Sequence, residues 1–254
     1  MLPSLHTQAV LQRNGKFYED YLGVELEFET DKNYGLGVLQ TKDLINGFAI
    51  MKKDSTLKNG FEITSTPADY ETHLTLWDDF FTGLPNNVIP TQNCGCHIHI
   101  SKDGIPELSI GKILIFIHNE NNRKFVKLMA GRESNEYNNY VKPRPSVKTP
   151  PDNAQENHRT AVNFRTSNGQ TVEFRIFRST REKDELLKNI DFVRALCEFA
   201  KTASIQEMKE WKKFVEYTCK NKHLYKFLYK FLCSKEGVGF LRENAPEFIQ
   251  ERRN

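Results

Sequence analysis

Between Val24 and Glu29 the chain alternates apolar and acidic residues without a break: Val24, Leu26 and Phe28 against Glu25, Glu27 and Glu29. A period of two is the signature of a half-buried β-strand, because successive side chains leave a strand on opposite faces. The three carboxylates therefore share one face. Like charges packed so closely repel and raise one another's pKa values unless a cation stands between them. On this segment alone, a divalent metal and a solvated edge strand account equally well for the pattern.

The same layout recurs along the chain. In Cys94-Gly95-Cys96-His97-Ile98-His99-Ile100-Ser101, strand alternation puts Cys94, Cys96, Ile98 and Ile100 on one face and His97, His99 and Ser101 on the other. A zinc knuckle of Cys94, Cys96, His97 and His99 is disfavoured, since the spacing is tighter than usual ligand loops and splits the ligands between two faces. In Thr171 to Phe177, Glu173 and Arg175 share a face opposite Val172, Phe174 and Ile176. Taken alone this is a surface ion pair, worth little. Glu62 stands between Phe61 and Ile63 in a predicted strand over 61–65. Arg159 and Asn163 approach a predicted hairpin whose turn is Asn168-Gly169. One sheet with a charged concave face and an apolar opposite face explains all of these segments together.

The remaining pattern predicts an α+β fold. Asp69 is placed to cap a helix carrying Tyr70, His73, Trp77, Phe80 and Phe81 at helical spacing, closed by Gly83 and Pro85. Residues 105–129 read as a helix broken near Asn119 to Asn122. Residues 142–157, rich in Pro and polar side chains, read as a lid-like loop. From Glu182 onward the chain is helical, with Leu186, Ile190, Val193, Cys197 and Ala200 on one stripe and a capping box of Ser204 and Glu207. The expected organisation is a catalytic sheet domain over 1–181 and a helical region over 182–254 packed on it.

Composition narrows the function classes. Charged residues at 27% and apolar residues at 38% describe a soluble globular chain, and runs such as Ile113 to Ile117 are far too short to cross a bilayer. The first residues lack a basic flank followed by an apolar stretch, so no secretory signal is expected. Five scattered cysteines point to a reducing cytoplasm rather than a disulfide framework. A net charge of +3 gives little reason to expect nucleic acid. The lysines and aromatics between Trp211 and Lys230 read as amphipathic helices with aromatics inward, in preference to a nucleic-acid surface.

The ordered series Gly23-Val24-Glu25-Leu26-Glu27, Asp54-Ser55 with Gly60-Phe61-Glu62-Ile63, Gly95 to Ser101, Arg159 with Asn163, and Val172-Glu173-Phe174-Arg175 resembles the motifs of the amidoligase family, common in phages and bacteria. That family belongs to the glutamine synthetase and glutamate–cysteine ligase superfamily. The resemblance spans about residues 20–180 and leaves the C-terminal helices unmatched. It implies a curved antiparallel sheet of the glutamine synthetase catalytic type, and an ATP-dependent ligase joining a carboxylate to an amine through an acyl phosphate. The acyl donor would be a small molecule or a peptide. The resemblance also implies two or more Mg²⁺ or Mn²⁺ ions. Glu25, His97 and Glu173 would hold one ion, and Glu27 and Glu62 another. Asp54 would be a further ligand or an amine-binding acid. Arg159 and Arg175 would hold the transferred phosphate, with His99 and Ser101 near the nucleotide or substrate carboxylate.

The chain departs from glutamine synthetase in having no separate N-terminal domain of that type, so an intersubunit site is not implied. Gly111-Lys112 lacks the surroundings of a P-loop, as expected where ATP is bound through sheet-borne metals. Two other readings remain: a metal-dependent hydrolase or nuclease using the same Glu and His residues, and a degenerate ligase kept as a binding module. Replacing Glu173 by Ala is expected to stop turnover and spare the fold, since the side chain is expected in a solvated cleft.

Overall fold

A computed structural model describes residues 21–30, 41, 45, 48–134, 160–164 and 169–250. Arg159 and the predicted loop 142–157 lie outside the described residues.

The strands are β1 (Leu22–Thr30), β2 (Ala49–Asp54), β3 (Gly60–Ser65), β4 (Val88–Ile89), β5 (Gly95–Ser101), β6 (Val162–Asn163) and β7 (Thr171–Arg178). They form one seven-stranded sheet in the order β2-β3-β1-β5-β7-β6, with β4 pairing β1. Every pairing is antiparallel. The helices are α1 (Tyr70–Gly83), α2 (Glu107–His118), α3 (Arg123–Ala130), α4 (Lys183–Thr202), α5 (Trp211–Lys220), α6 (Lys226–Leu232), α7 (Lys235–Asn244) and α8 (Glu247–Gln250). The fold is thus α+β with an antiparallel sheet, and no described helix is long and apolar enough to cross a membrane.

Alternation decides which face is buried. In β1, Leu22, Val24, Leu26 and Phe28 are fully buried, while Gly23, Glu25, Glu27 and Glu29 between them are partly exposed. Phe61 and Ile63 of β3, Cys96 and Ile98 of β5, and Val172 and Phe174 of β7 continue the buried face. Helix α4 packs against β5 and against α1, α2 and α6. Its stripe Leu186, Ile190, Val193, Cys197 and Ala200 is buried as expected. Each large apolar side chain gains about 1.5–3 kcal/mol on leaving water, whereas an exposed ion pair is worth under about 1 kcal/mol. The apolar face therefore holds the sheet together, and the other face can carry charge.

Local chemistry sets the element ends. Asp69 accepts a hydrogen bond from Thr72 N at 2.8 Å and caps α1. Trp77 and Phe80 of α1 meet edge to face at 5.5 Å and pack under Phe28 and Phe48. Arg181 gathers the carbonyls of Leu84, Pro85 and Val88, which ties the end of α1 to the start of α4. Ser204 and Glu207 bond reciprocally, as a capping box does, but the turn they cap is a short 3₁₀ segment over Glu207–Lys209.

Strand β7 breaks the simple alternation. Ile98 pairs with Phe174 but Cys96 pairs with Phe177, so β7 carries one extra residue there. This β-bulge places both Ile176 and Phe177 in the core and puts Arg178 opposite Gly95, on the charged face.

The sheet and the C-terminal helices share one apolar core that runs from Leu22 to Ala245. Asn122, fully buried between α2 and α3, fastens them. Its Nδ2 donates to Phe116 O at 3.0 Å and Met208 O at 2.8 Å, and its Oδ1 accepts from Trp211 N at 2.7 Å. Replacing it by Ala leaves three buried backbone groups without partners. Asn122→Ala is expected to cost about 2–4 kcal/mol, measured by urea denaturation.

Candidate functional site

The charged face of the sheet is built from three rows of cross-strand neighbours. Lys52, Glu62 and Glu27 stand side by side on β2, β3 and β1. Thr64, Glu25 and His97 form the next row, on β3, β1 and β5. His99, Glu173 and Asn163 form the third, on β5, β7 and β6. Antiparallel register thus brings together residues as far apart in sequence as Glu25 and Glu173, with opposed side chains close enough to interact.

His97 is the hub. Its Nδ1 lies 3.0 Å from Glu25 Oε2 and 3.6 Å from Glu173 Oε1, and its Nε2 lies 3.6 Å from Glu27 Oε1. Two acidic groups flank it. In one, ligand atoms of Glu25, His99 and Glu173 lie within 4.8 Å of one another; in the other, those of Glu27, Asp54 and Glu62 do so. The resemblance pairs His97 with Glu25 and Glu173; in this geometry His99 completes that trio while His97 sits between the two groups. Asp54 joins the second group from the end of β2 and also accepts from Thr56 N at 2.8 Å. Ser101 follows His99 on the same face, in register with Thr171. Cys96 lies in the core, on the opposite face, and burial pushes its thiol up to about 12 and that of Cys94 to about 11. Thiolate ligands are therefore disfavoured at this site.

Supporting residues hold these groups in place, and the roles of two of them, Thr171 and Arg132, left little trace in the sequence. Thr171 Oγ1 lies 3.3 Å from His99 Nδ1, a contact that fixes the ring with Nε2 turned toward Glu25 Oε1 at 3.2 Å. Asn163 donates to Glu173 Oε2 at 3.0 Å, and Arg175 bonds the other oxygen. Arg132, just after α3, donates to Arg175 O at 2.8 Å and Ile176 O at 3.1 Å, bracing the β7 bulge. Gly95 N donates to Glu27 Oε2 at 2.5 Å. A Cβ on Gly95 would sit 3.1–3.2 Å from His97 Nε2, Arg132 and Glu27 Oε2, so any larger residue would press on three side chains of the site.

Glu173 departs from its expected setting. Its side chain is only 5% exposed and clamped by Asn163 and Arg175, so it does not stand in a solvated cleft. Ala there would orphan both partners and weaken the fold, and Gln is the cleaner probe.

Electrostatics match this arrangement. Burial acts to raise the Glu25 pKa, but contacts with His97 and His99, and their charge, outweigh it and hold the carboxyl well below its ordinary 4.5. Burial likewise opposes ionisation of Glu173, yet His97, Arg175 and His99 draw its pKa down. Burial acts against protonated His99, but the Glu25 contact and the Glu25 and Glu173 charges hold its pKa above 6.5. Lys52, facing Glu62, Glu25 and Asp54, keeps its proton above the usual lysine range despite partial burial.

The donor set suits a hard divalent cation: carboxylate oxygens with one imidazole. His99 Nε2 supplies a specific test of fit. It is buried and makes no well-formed hydrogen bond, although Glu25 Oε1 is close by. A cation among Glu25, His99 and Glu173 would give this nitrogen a well-directed bond in place of that imperfect contact.

In the metal-free protein the depressed Glu25 contributes stability that is complete above 4.5 and is lost as pH falls through its folded value. The raised His99 contributes stability that is complete below 6.5 and is lost as pH rises through its folded value. The gap in melting temperature between the wild type and Glu25→Gln, measured in chelator, is therefore expected to be widest between pH 4.5 and 6.5 and to shrink on either side. A gap that does not change with pH would show that the pair is not coupled.

The sequence matches no protein-family model and no curated protein, so the chemistry of this face rests on its own geometry and on motif order.

Proposed function

We propose that this chain is an ATP-dependent carboxylate–amine ligase that works with two divalent cations, Mg²⁺ or Mn²⁺, on a sheet of the glutamine synthetase catalytic type. One observation carries the reading: two three-residue groups with metal-binding chemistry stand side by side on one sheet face, separated by a single buried histidine. Glu25, His99 and Glu173 would hold one cation; Glu27, Asp54 and Glu62 would hold the other. The order of motifs along the chain supports the same two-cation reading, with His97 rather than His99 in the first ligand set by motif position.

A carboxylate is a poor electrophile, and ATP overcomes this by converting it to an acyl phosphate that an amine can attack. Both reacting partners are anions, so the site must supply positive charge. The cations, when bound, supply most of it. Arg175 adds a guanidinium whose Nε is buried without an acceptor among the described residues, which suits it to a phosphoryl oxygen. His97 stands between the two acidic groups and reaches a carboxylate of each. Asp54 reaches the second group from the outermost strand β2, at the edge of the sheet. The apolar opposite face fixes the strands that carry these groups.

The test is incubation of the protein with ATP, Mg²⁺ and a pooled extract of carboxylates and amines. ADP release that depends on the extract, with products one water lighter than their components, is expected. Glu62→Gln, nearly isosteric, is expected to lower that rate about 100-fold with the fold intact. Cleavage of esters or nucleic acid without ADP release would support a metal-dependent hydrolase instead, and the absence of both with no ATP binding would leave a binding module.

A further inference from the structure

The two acidic groups differ in how their charge is balanced, and this difference points to a role for Lys52. The group of Glu25, His99 and Glu173 is offset by side chains fixed in place. His97 is 5% exposed, Arg175 is held by Glu173, and His99 is itself a member. The group of Glu27, Asp54 and Glu62 contains three carboxylates and no cation of its own. His97 Nε2 reaches it only at 3.6 Å, through Glu27. Among the described residues the ammonium that meets it is Lys52 Nζ, 2.8 Å from Glu62 Oε1, the same oxygen that accepts from Thr64 Oγ1 at 2.8 Å. The Lys52 side chain is 57% exposed and that of Glu62 is 12% exposed, so the ammonium covers the group from the solvent side. A lysine on a flexible four-carbon stem can leave such a position without disturbing the strand that bears it.

We infer that Lys52 is a tethered counter-ion of the second acidic group, seated on Glu62 until a divalent cation displaces it. The inference rests on the two-cation reading above. It gives that reading an order of loading. The group with fixed partners accepts its cation directly, whereas the cation of the second group must first expel an ammonium and then bind beside it. The second site is thereby weaker and fills last, so the centre assembles fully only when divalent cation, or a ligand that brings one, is plentiful. ATP carries its own divalent cation, and an arrangement of this kind would couple completion of the centre to arrival of the nucleotide.

The experiment is Mn²⁺ binding to the full chain without nucleotide, followed by electron paramagnetic resonance and calorimetry. The wild type is expected to bind two ions with clearly separated affinities. Lys52→Met is expected to tighten the weaker site about tenfold and leave the stronger one unchanged. The same variant is expected to melt earlier than the wild type in chelator, since Glu62 then lacks its counter-ion. Lys52→Arg keeps the charge and is expected to follow the wild type. Lys53→Met makes the same change in net charge on the neighbouring, oppositely oriented position, and is expected to leave both affinities alone. Two ions bound by the wild type with no change in Lys52→Met would overturn the role of Lys52 and leave the two-cation reading standing. No Mn²⁺ bound by the wild type, or one ion only, would overturn that reading and the role of Lys52 together.

Discussion

Everything on the functional face follows from electrostatic repulsion among carboxylates that strand geometry forces together. Glu25 and Glu27 share a face because they are two residues apart in β1, and antiparallel pairing sets Glu62 beside Glu27. The apolar side chains between them fix that placement, because slipping the strand by one residue would expose Val24, Leu26 and Phe28 to water. The hydrophobic effect thus creates an electrostatic cost, and the surrounding side chains show how it is met. His97 reaches three carboxylates, Arg175 and Asn163 hold Glu173, and Lys52 covers Glu62.

The parts of the site legible in sequence were those governed by alternation. The faces of β1, β3 and β5 could be read from the spacing of Glu25 and Glu27, of Phe61 and Ile63, and of His97 and His99, because a period of two survives in any regular strand. Alternation does not record which strands are neighbours or where their registers fall. Motif position groups His97 with Glu25 and Glu173, and the register does set His97 opposite Glu25; what the motif does not record is that His99, opposite Glu173, reaches the same two carboxylates while His97 also reaches Glu27. The β7 bulge was equally invisible: a run such as Glu173 to Arg178 reads as an uninterrupted strand, and only pairing with β5 reveals the extra residue that brings Arg178 to the charged face.

Supporting residues were hardest to foresee. Arg132 belongs to a turn and acts through two carbonyls of a strand more than forty residues away. Lys52 lies in Ala49–Asp54, where Met51, Lys52 and Lys53 carry no clear alternation, so the edge strand itself escaped notice. Thr171 looked like an ordinary strand residue until its hydroxyl was found against His99 Nδ1. Each owes its role to a partner distant in sequence, and no local window contains that information. The helical layer was easier, since caps such as Asp69 and stripes such as Leu186 to Ala200 are written within a few turns.

The placement of Asn122 has a consequence for how the molecule comes apart. One side chain satisfies the end of α2, the turn before α5 and the first residue of α5, inside a core that the sheet also shares. Neither layer has an apolar interior to itself, and opening the boundary between them would wet both at once. The two layers therefore stand or melt as a single cooperative unit. A charged face spread over six strands depends on that property, because a partly unfolded intermediate would keep its carboxylates while losing the register that brings them together.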